Sequence, residues 1–287
     1  MTRLSLKCVT LGLVSVAMIG VTAVARAQDA EAARRQFLLQ IPTSTGGGLA
    51  DFFRGAPGAN TGTPLAFGAS IGDFFVAGAY QGEQRGQKLS STTFTPNGVD
   101  DASVSVGFGF GNPNGGLSLT TVITSLSPFR GGFGDRTALS FSVSHNVRPS
   151  LAVAIGVENG IVSGGGGSGG AESFYGVVSK IFVSPFTQMS WLKAVTVSGG
   201  AGNGRFRRIE DVNSGNETVN AFASVSALVH ERVSLIADYT GQDINLGFSV
   251  VPFKKIPFAI TPAVADLTTM ANSTPRLIIG LGIGMHF

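Results

Sequence analysis

The side chains in this sequence best suited to metal or acid–base chemistry are three histidines, and their spacing argues against both uses. His145, His230 and His286 lie far apart in the chain, without a neighbouring cysteine or the short repeat that brings two imidazoles onto one metal ion. No metal and no cofactor is expected. Ser144 precedes His145 directly, but successive residues of an extended strand point to opposite faces, so the pair cannot share a nucleophile–base hydrogen bond. The chain is therefore not expected to be an enzyme, and a lipid-acting hydrolase stands as the weaker alternative. Gly107, Gly109 and the glycines at 280, 282 and 284 loosely resemble nucleotide-binding runs. They sit inside alternating strands with no helix following, where glycine keeps one face small. The glycine-rich run at 163–170 is expected to be an outer loop.

What positions these residues is a period of two. From 277 onward the odd positions read Leu277, Ile279, Leu281, Ile283, Met285 and Phe287, while Gly280, Gly282, Gly284 and His286 fall between them. The same alternation runs through 102–111, 151–158 and 244–250. Gly is abundant at 41 residues, charged residues make up only 13%, and the mean hydropathy is positive, yet no apolar run of membrane-spanning length follows the first 27 residues. Helices cannot span a bilayer here, so the remaining structure that satisfies every backbone group in lipid is a closed barrel.

The fold class is accordingly all-β, a transmembrane antiparallel up-and-down β-barrel over 74–287 with about 12 strands; ten to fourteen also fit the pattern. The strands are expected near 74–81, 102–111, 117–126, 137–146, 151–159, 173–183, 194–202, 219–229, 233–240, 244–251, 258–265 and 276–287. Short connections at 112–114, 147–150, 230–232 and 252–257 alternate with longer ones, as in barrels with tight periplasmic turns and extended outer loops. The tight turn at 241–243 and the longer connection at 184–193 depart from that rule.

Parity places Ser103, Ser105, Ser118, Thr120, Ser140, Ser142, Ser249 and Thr261 on the inner face, together with Glu158, Asp238 and Asn245. Lys180 joins these lumen candidates from a strand whose parity is ambiguous. Charges in a confined path either select ions or pair with other groups and brace the wall.

The first 27 residues carry Arg3 and Lys7, then an apolar run, then Ala25-Arg26-Ala27, the layout of a secretory signal peptide; an uncleaved anchor is the alternative. Removing this segment takes away three basic residues and the sole cysteine, Cys8, and leaves 17 basic against 17 acidic residues. Nothing in that balance marks a nucleic-acid partner. Residues 28–73 are expected to form a periplasmic or lumenal N-terminal segment, partly disordered. The Gly, Thr, Ala and Pro content of 28–63 suits a tether, with a periplasmic interaction segment and a plug as alternatives, and 65–71 is expected to be a periplasmic or lumenal addition.

The alternating terminus with Ile283, Met285 and Phe287 resembles the C-terminal signature of bacterial outer-membrane proteins. That resemblance implies a porin-like barrel in the outer membrane of a Gram-negative envelope. It also implies contact with outer-membrane lipids and recognition of the last strand by the barrel-assembly machinery. It reaches no functionally characterised barrel family, and Trp191 with three tyrosines makes a thinner aromatic girdle than many porins have. The leading functional expectation is a small channel or passive transporter, its solute unspecified, and the alternative is a structural or docking barrel with a closed lumen. Deleting Phe287 should lower the yield of membrane-inserted barrel more than deleting 28–44, measured by membrane fractionation; equal yields would show that the terminal signature was misread.

Overall fold

A computed structural model of the chain describes residues 57–82, 101–128, 132–164, 172–183, 191–254, 256–268 and 275–287. The expected signal peptide at 1–27, the tether-like stretch up to residue 56 and the glycine-rich run from residue 165 lie outside the described residues.

Twelve strands follow one another: β1 (Asp73–Gln81), β2 (Asp101–Gly111), β3 (Ser118–Leu126), β4 (Thr137–Arg148), β5 (Leu151–Ser163), β6 (Ser173–Val183), β7 (Ala194–Gly202), β8 (Asn220–His230), β9 (Val233–Tyr239), β10 (Ile244–Val250), β11 (Phe258–Ala265) and β12 (Arg276–His286). Each pairs antiparallel with its neighbours in sequence, and β1 closes on β12 from Asp73↔His286 to Gln81↔Ile278. The architecture is thus an all-β, closed, up-and-down barrel of twelve strands. β9 and β10 have only seven residues each, joined by the tight turn in which the Thr240 amide donates to Asp243 O at 3.0 Å. β4 and β5 run longer than the sequence pattern gave, with a register shift between Leu139 and Phe141 of β4 opposite a left-handed Asn159 (φ 53°) of β5.

Alternation sorts the side chains into two environments. Ile155, Leu235, Leu246, Phe248 and Leu281 stand on the outer surface and are exposed, whereas Ser118, Thr120, Ser140, Ser249 and Thr261 point inward and are buried. An eight-stranded barrel is just filled by its own side chains, and width grows with strand number, so twelve strands lined by Ser, Thr, Ala and Gly leave space at the centre.

That space is occupied by residues 57–72. Leu65, Ala66, Phe67 and Ala69 are all within 1% of complete burial. The strap enters the lumen at the end of the barrel that holds Phe287, where the Gly58 amide donates to Ser249 Oγ at 2.7 Å. It rises to Asp238 near the far end of β9, then descends past Ser179 of β6 and Thr120 of β3. At Ile71 it leaves beside Gly109 and Gly111 of β2, back at the Phe287 end, and reverses through a turn at Gly72, where the Asp73 amide donates to Ser70 O at 3.0 Å, into β1. Of the two places expected for 65–71, periplasm or lumen, the segment takes the lumen, inside the wall.

Glycine is required where the strap and the first strand approach the wall most closely. Phe75 of β1 points inward opposite Gly107 of β2, and a Cβ at Gly107 would overlap the Phe75 ring. Gly107→Val should therefore destabilise the barrel by about 1–3 kcal/mol through overpacking. The check is the temperature at which the protein loses its compact, heat-modifiable migration in detergent gels; an unchanged temperature would show that Phe75 has room to move.

Candidate functional site

The candidate site is the lumen at the level of the strap's tip, built from β5, β9, β10 and the connection between β7 and β8. In that connection Gly204–Phe206 forms a single 3-10 turn, followed by a short helix, α1 (Ile209–Asn213). Gly204 has a positive φ of 58°, and a Cβ there would strike Glu172 O and Ser173, so the turn can press against β6 only with glycine. The turn delivers Arg205 and Phe206 into the mouth of the barrel.

Phe206 is fully buried, stacked on Phe222 of β8 at 4.5 Å between centroids and edge-on to Tyr175 of β6. These rings join Ala66 and Phe67 of the strap and Ala152, Val177, Ile181 and Leu228 of the wall in one apolar cluster. Burial of Phe side chains on this scale is worth about 1.5–3 kcal/mol each. One sector of the lumen is therefore a packed core shared by wall, strap and outer connection.

The polar sector is built on the two carboxylates. Glu158 points inward from β5 with 1% of its surface exposed, and its carboxylate takes a two-pronged hydrogen-bonded ion pair from Arg205, with Nη2 to Oε1 at 2.8 Å. The same guanidinium donates through Nη1 to Gly62 O of the strap at 2.7 Å and lies over the Phe206 ring at 4.2 Å. Asp238, inward from β9 and equally buried, receives the backbone amides of Thr61 (2.7 Å), Gly62 (2.8 Å) and Thr63 (3.3 Å) and the Thr61 hydroxyl (2.9 Å), all on Oδ2. Consecutive amides converging on one carboxylate oxygen form charge-assisted bonds, stronger than those between neutral groups. Asn245 pairs with Asp238 across β9 and β10, and its Oδ1 accepts the Asp266 amide at 3.2 Å. A second ion pair, Arg276 to Asp266 at 2.8 Å with Arg276 also donating to Gln81, ties β12, β11 and β1 at the far rim.

Lys180 has a different place from the one considered for it in the lumen. It faces outward from β6, donates to Ser150 Oγ at 2.9 Å and lies over the Phe182 ring. The histidines serve the Phe287 end: His145 Nδ1 meets Gly116 O, the Arg232 amide donates to His230 Nδ1, and His286 pairs with Asp73 at 2.9 Å. Ser144 points into the lumen and bonds Ser118 at 2.7 Å, so its side chain and that of His145 are on opposite faces. At the terminus, Ile283 pairs with Val76 and Phe258, Met285 pairs with Phe74, and the Phe287 amide donates to Gly72 O at 3.0 Å.

Sequence parity did not reach Arg205 or the Thr61–Thr63 amides, because neither belongs to a strand. The available signal was indirect: two inward carboxylates on a near-neutral chain require compensation.

These features define a twelve-stranded up-and-down barrel whose lumen is filled by its own chain. No protein-family model and no curated protein matches the sequence. Among solved structures, the crystal structure of the Acinetobacter baumannii outer membrane protein Omp33 is similar at 13% identity, covering 75% of this chain and 98% of that one with a TM-score of 0.36.

Removing one partner of the buried pair isolates the other. Glu158→Gln should cost about 1–3 kcal/mol, because Arg205 loses its countercharge while keeping about 31% of its side chain in solvent. Arg205→Met in the same background should recover part of that loss, measured as unfolding free energy in urea with lipid vesicles. Equal stabilities for wild type and Glu158→Gln would show the pair to be solvated.

Proposed function

We propose that the protein is a bacterial outer-membrane barrel that rests closed, serving in this state as a structural or docking barrel rather than an open channel. The observation that carries this reading is the burial of the inner wall by residues 57–72: Ser179, Ser249 and Asp238 have at most 1% exposure and bond strap atoms directly. A void beside Thr120, Ser140, Ser142 and Tyr175 is too narrow for a water molecule.

Placement in a membrane rests on the outer surface. Aliphatic and aromatic side chains occupy alternate positions all round the barrel, as at Phe110, Ile123, Phe174, Val225, Leu246 and Leu277, and are exposed. A soluble protein seldom presents so continuous an apolar band, whereas lipid hydrocarbon is its natural solvent. With Phe287 at the periplasmic rim, the connection bearing Arg205 belongs to the outer side and the strap enters from the periplasm. The last strand is then the element offered to the assembly machinery.

The purified full-length protein should insert into planar bilayers without steady conductance. A stably open pore in the wild type would overturn the closed reading and restore the channel.

A further inference from the structure

The wall and its filling are held by different kinds of bond, and this difference carries a second activity. Each strand is joined to both neighbours by backbone ladders that close from β1 to β12. The strap uses such a ladder only at its base, where Ile71 meets β2. Above that point it is held without a backbone ladder, by hydrogen bonds to Ser249, Asp238, Ser179, Thr120 and Arg205 and by the packing of Ala66 and Phe67 in the apolar cluster. Water can replace the strap's donors at the wall's hydroxyl and carboxylate oxygens once the strap has left. Both ends of the described strap lie at the same rim, and the only backbone pairing its withdrawal breaks among the described residues is that of Ile71 with β2.

We propose that residues 57–72 are a releasable plug and that the barrel, once they withdraw, conducts small hydrophilic cations. This rests on the closed-barrel reading and adds an activity to it. The vacated path would be lined by hydroxyls, among them Ser142, Thr120, Ser249 and Thr261. At the level of the strap tip the wall presents the carboxylates of Glu158 and Asp238 against the single guanidinium of Arg205. One uncompensated negative charge in a narrow aqueous path attracts cations and repels anions. Asp238 serves both states: it anchors the strap amides when the lumen is closed and faces water when it is open.

Gly68 gives a way to expel the strap without changing the wall, since a Cβ there would overlap the hydroxyls of Ser144 and Ser118 and come within 2.9 Å of the Ser144 Cβ. The experiment compares full-length wild type and Gly68→Leu in planar bilayers under a potassium chloride gradient, with heat-modifiable migration as the folding control. The expected result is at least a tenfold rise in open time for Gly68→Leu, with a reversal potential on the cation side. Adding Asp238→Asn should reduce the cation-to-anion permeability ratio at least twofold. Should Gly68→Leu not give a heat-modifiable barrel, Asp238→Ala, which adds no bulk, carries the same expectation for open time. A folded variant no more conductive than a silent wild type overturns the plug but leaves the closed barrel standing. Anion preference in the open state overturns the assigned cargo, and a steadily conducting wild type overturns the closed reading itself.

Discussion

Twelve strands closed into a ring enclose more room than small side chains can fill, and most of this structure answers that mismatch. Its inner positions are dominated by Ser, Thr, Ala and Gly, as in the run Ser140, Ser142 and Ser144 on β4. Such a wall cannot make a dry core by itself. The chain supplies the missing volume from two directions, with residues 57–72 rising from one rim and Phe206 descending from the other, and they meet where Arg205 bonds Gly62 O.

The meeting point explains how charge can be buried so deeply. Neither Glu158 nor Asp238 could persist inside without compensation, because an isolated buried carboxylate is far costlier than a solvated one. Glu158 is neutralised by a guanidinium, whereas Asp238 takes the peptide dipoles of the strap on Oδ2 alone, its Oδ1 having no hydrogen-bond partner. The two carboxylates therefore fasten different pieces: one holds the outer connection to the wall and the other holds the strap. Arg205 couples the two attachments.

The wall was legible in the sequence because its rule is local. A period of two needs only the pleat and two solvents, and it located every strand, the inward hydroxyls, Glu158, Asp238 and Asn245. Lys180 shows where that rule loses power. On β6 both parities are apolar, since Tyr175, Val177 and Ile181 face the cluster around Phe67 and Phe206 while Phe174, Val178 and Phe182 face outward. With no polar face to mark the inside, alternation cannot orient the strand. The strap was illegible for a related reason: the path of 57–72 is set by the positions of Ser249, Asp238, Ser179 and Thr120, residues from four strands that only the closed barrel brings together.

The seam between β1 and β12 gives the barrel's history a direction. Asp73 and His286 touch across a separation of 213 residues, and the Phe287 amide reaches back to Gly72 O at the strap's foot. Contacts that distant in sequence are slow to form. The first strand is therefore made early and must keep an unpaired edge until the last has been synthesised and delivered, a state open to wrong pairing and aggregation. Its partner presents Gly280, Gly282 and Gly284 on the inward side, so the closing strand brings no side chain into the lumen at these three positions.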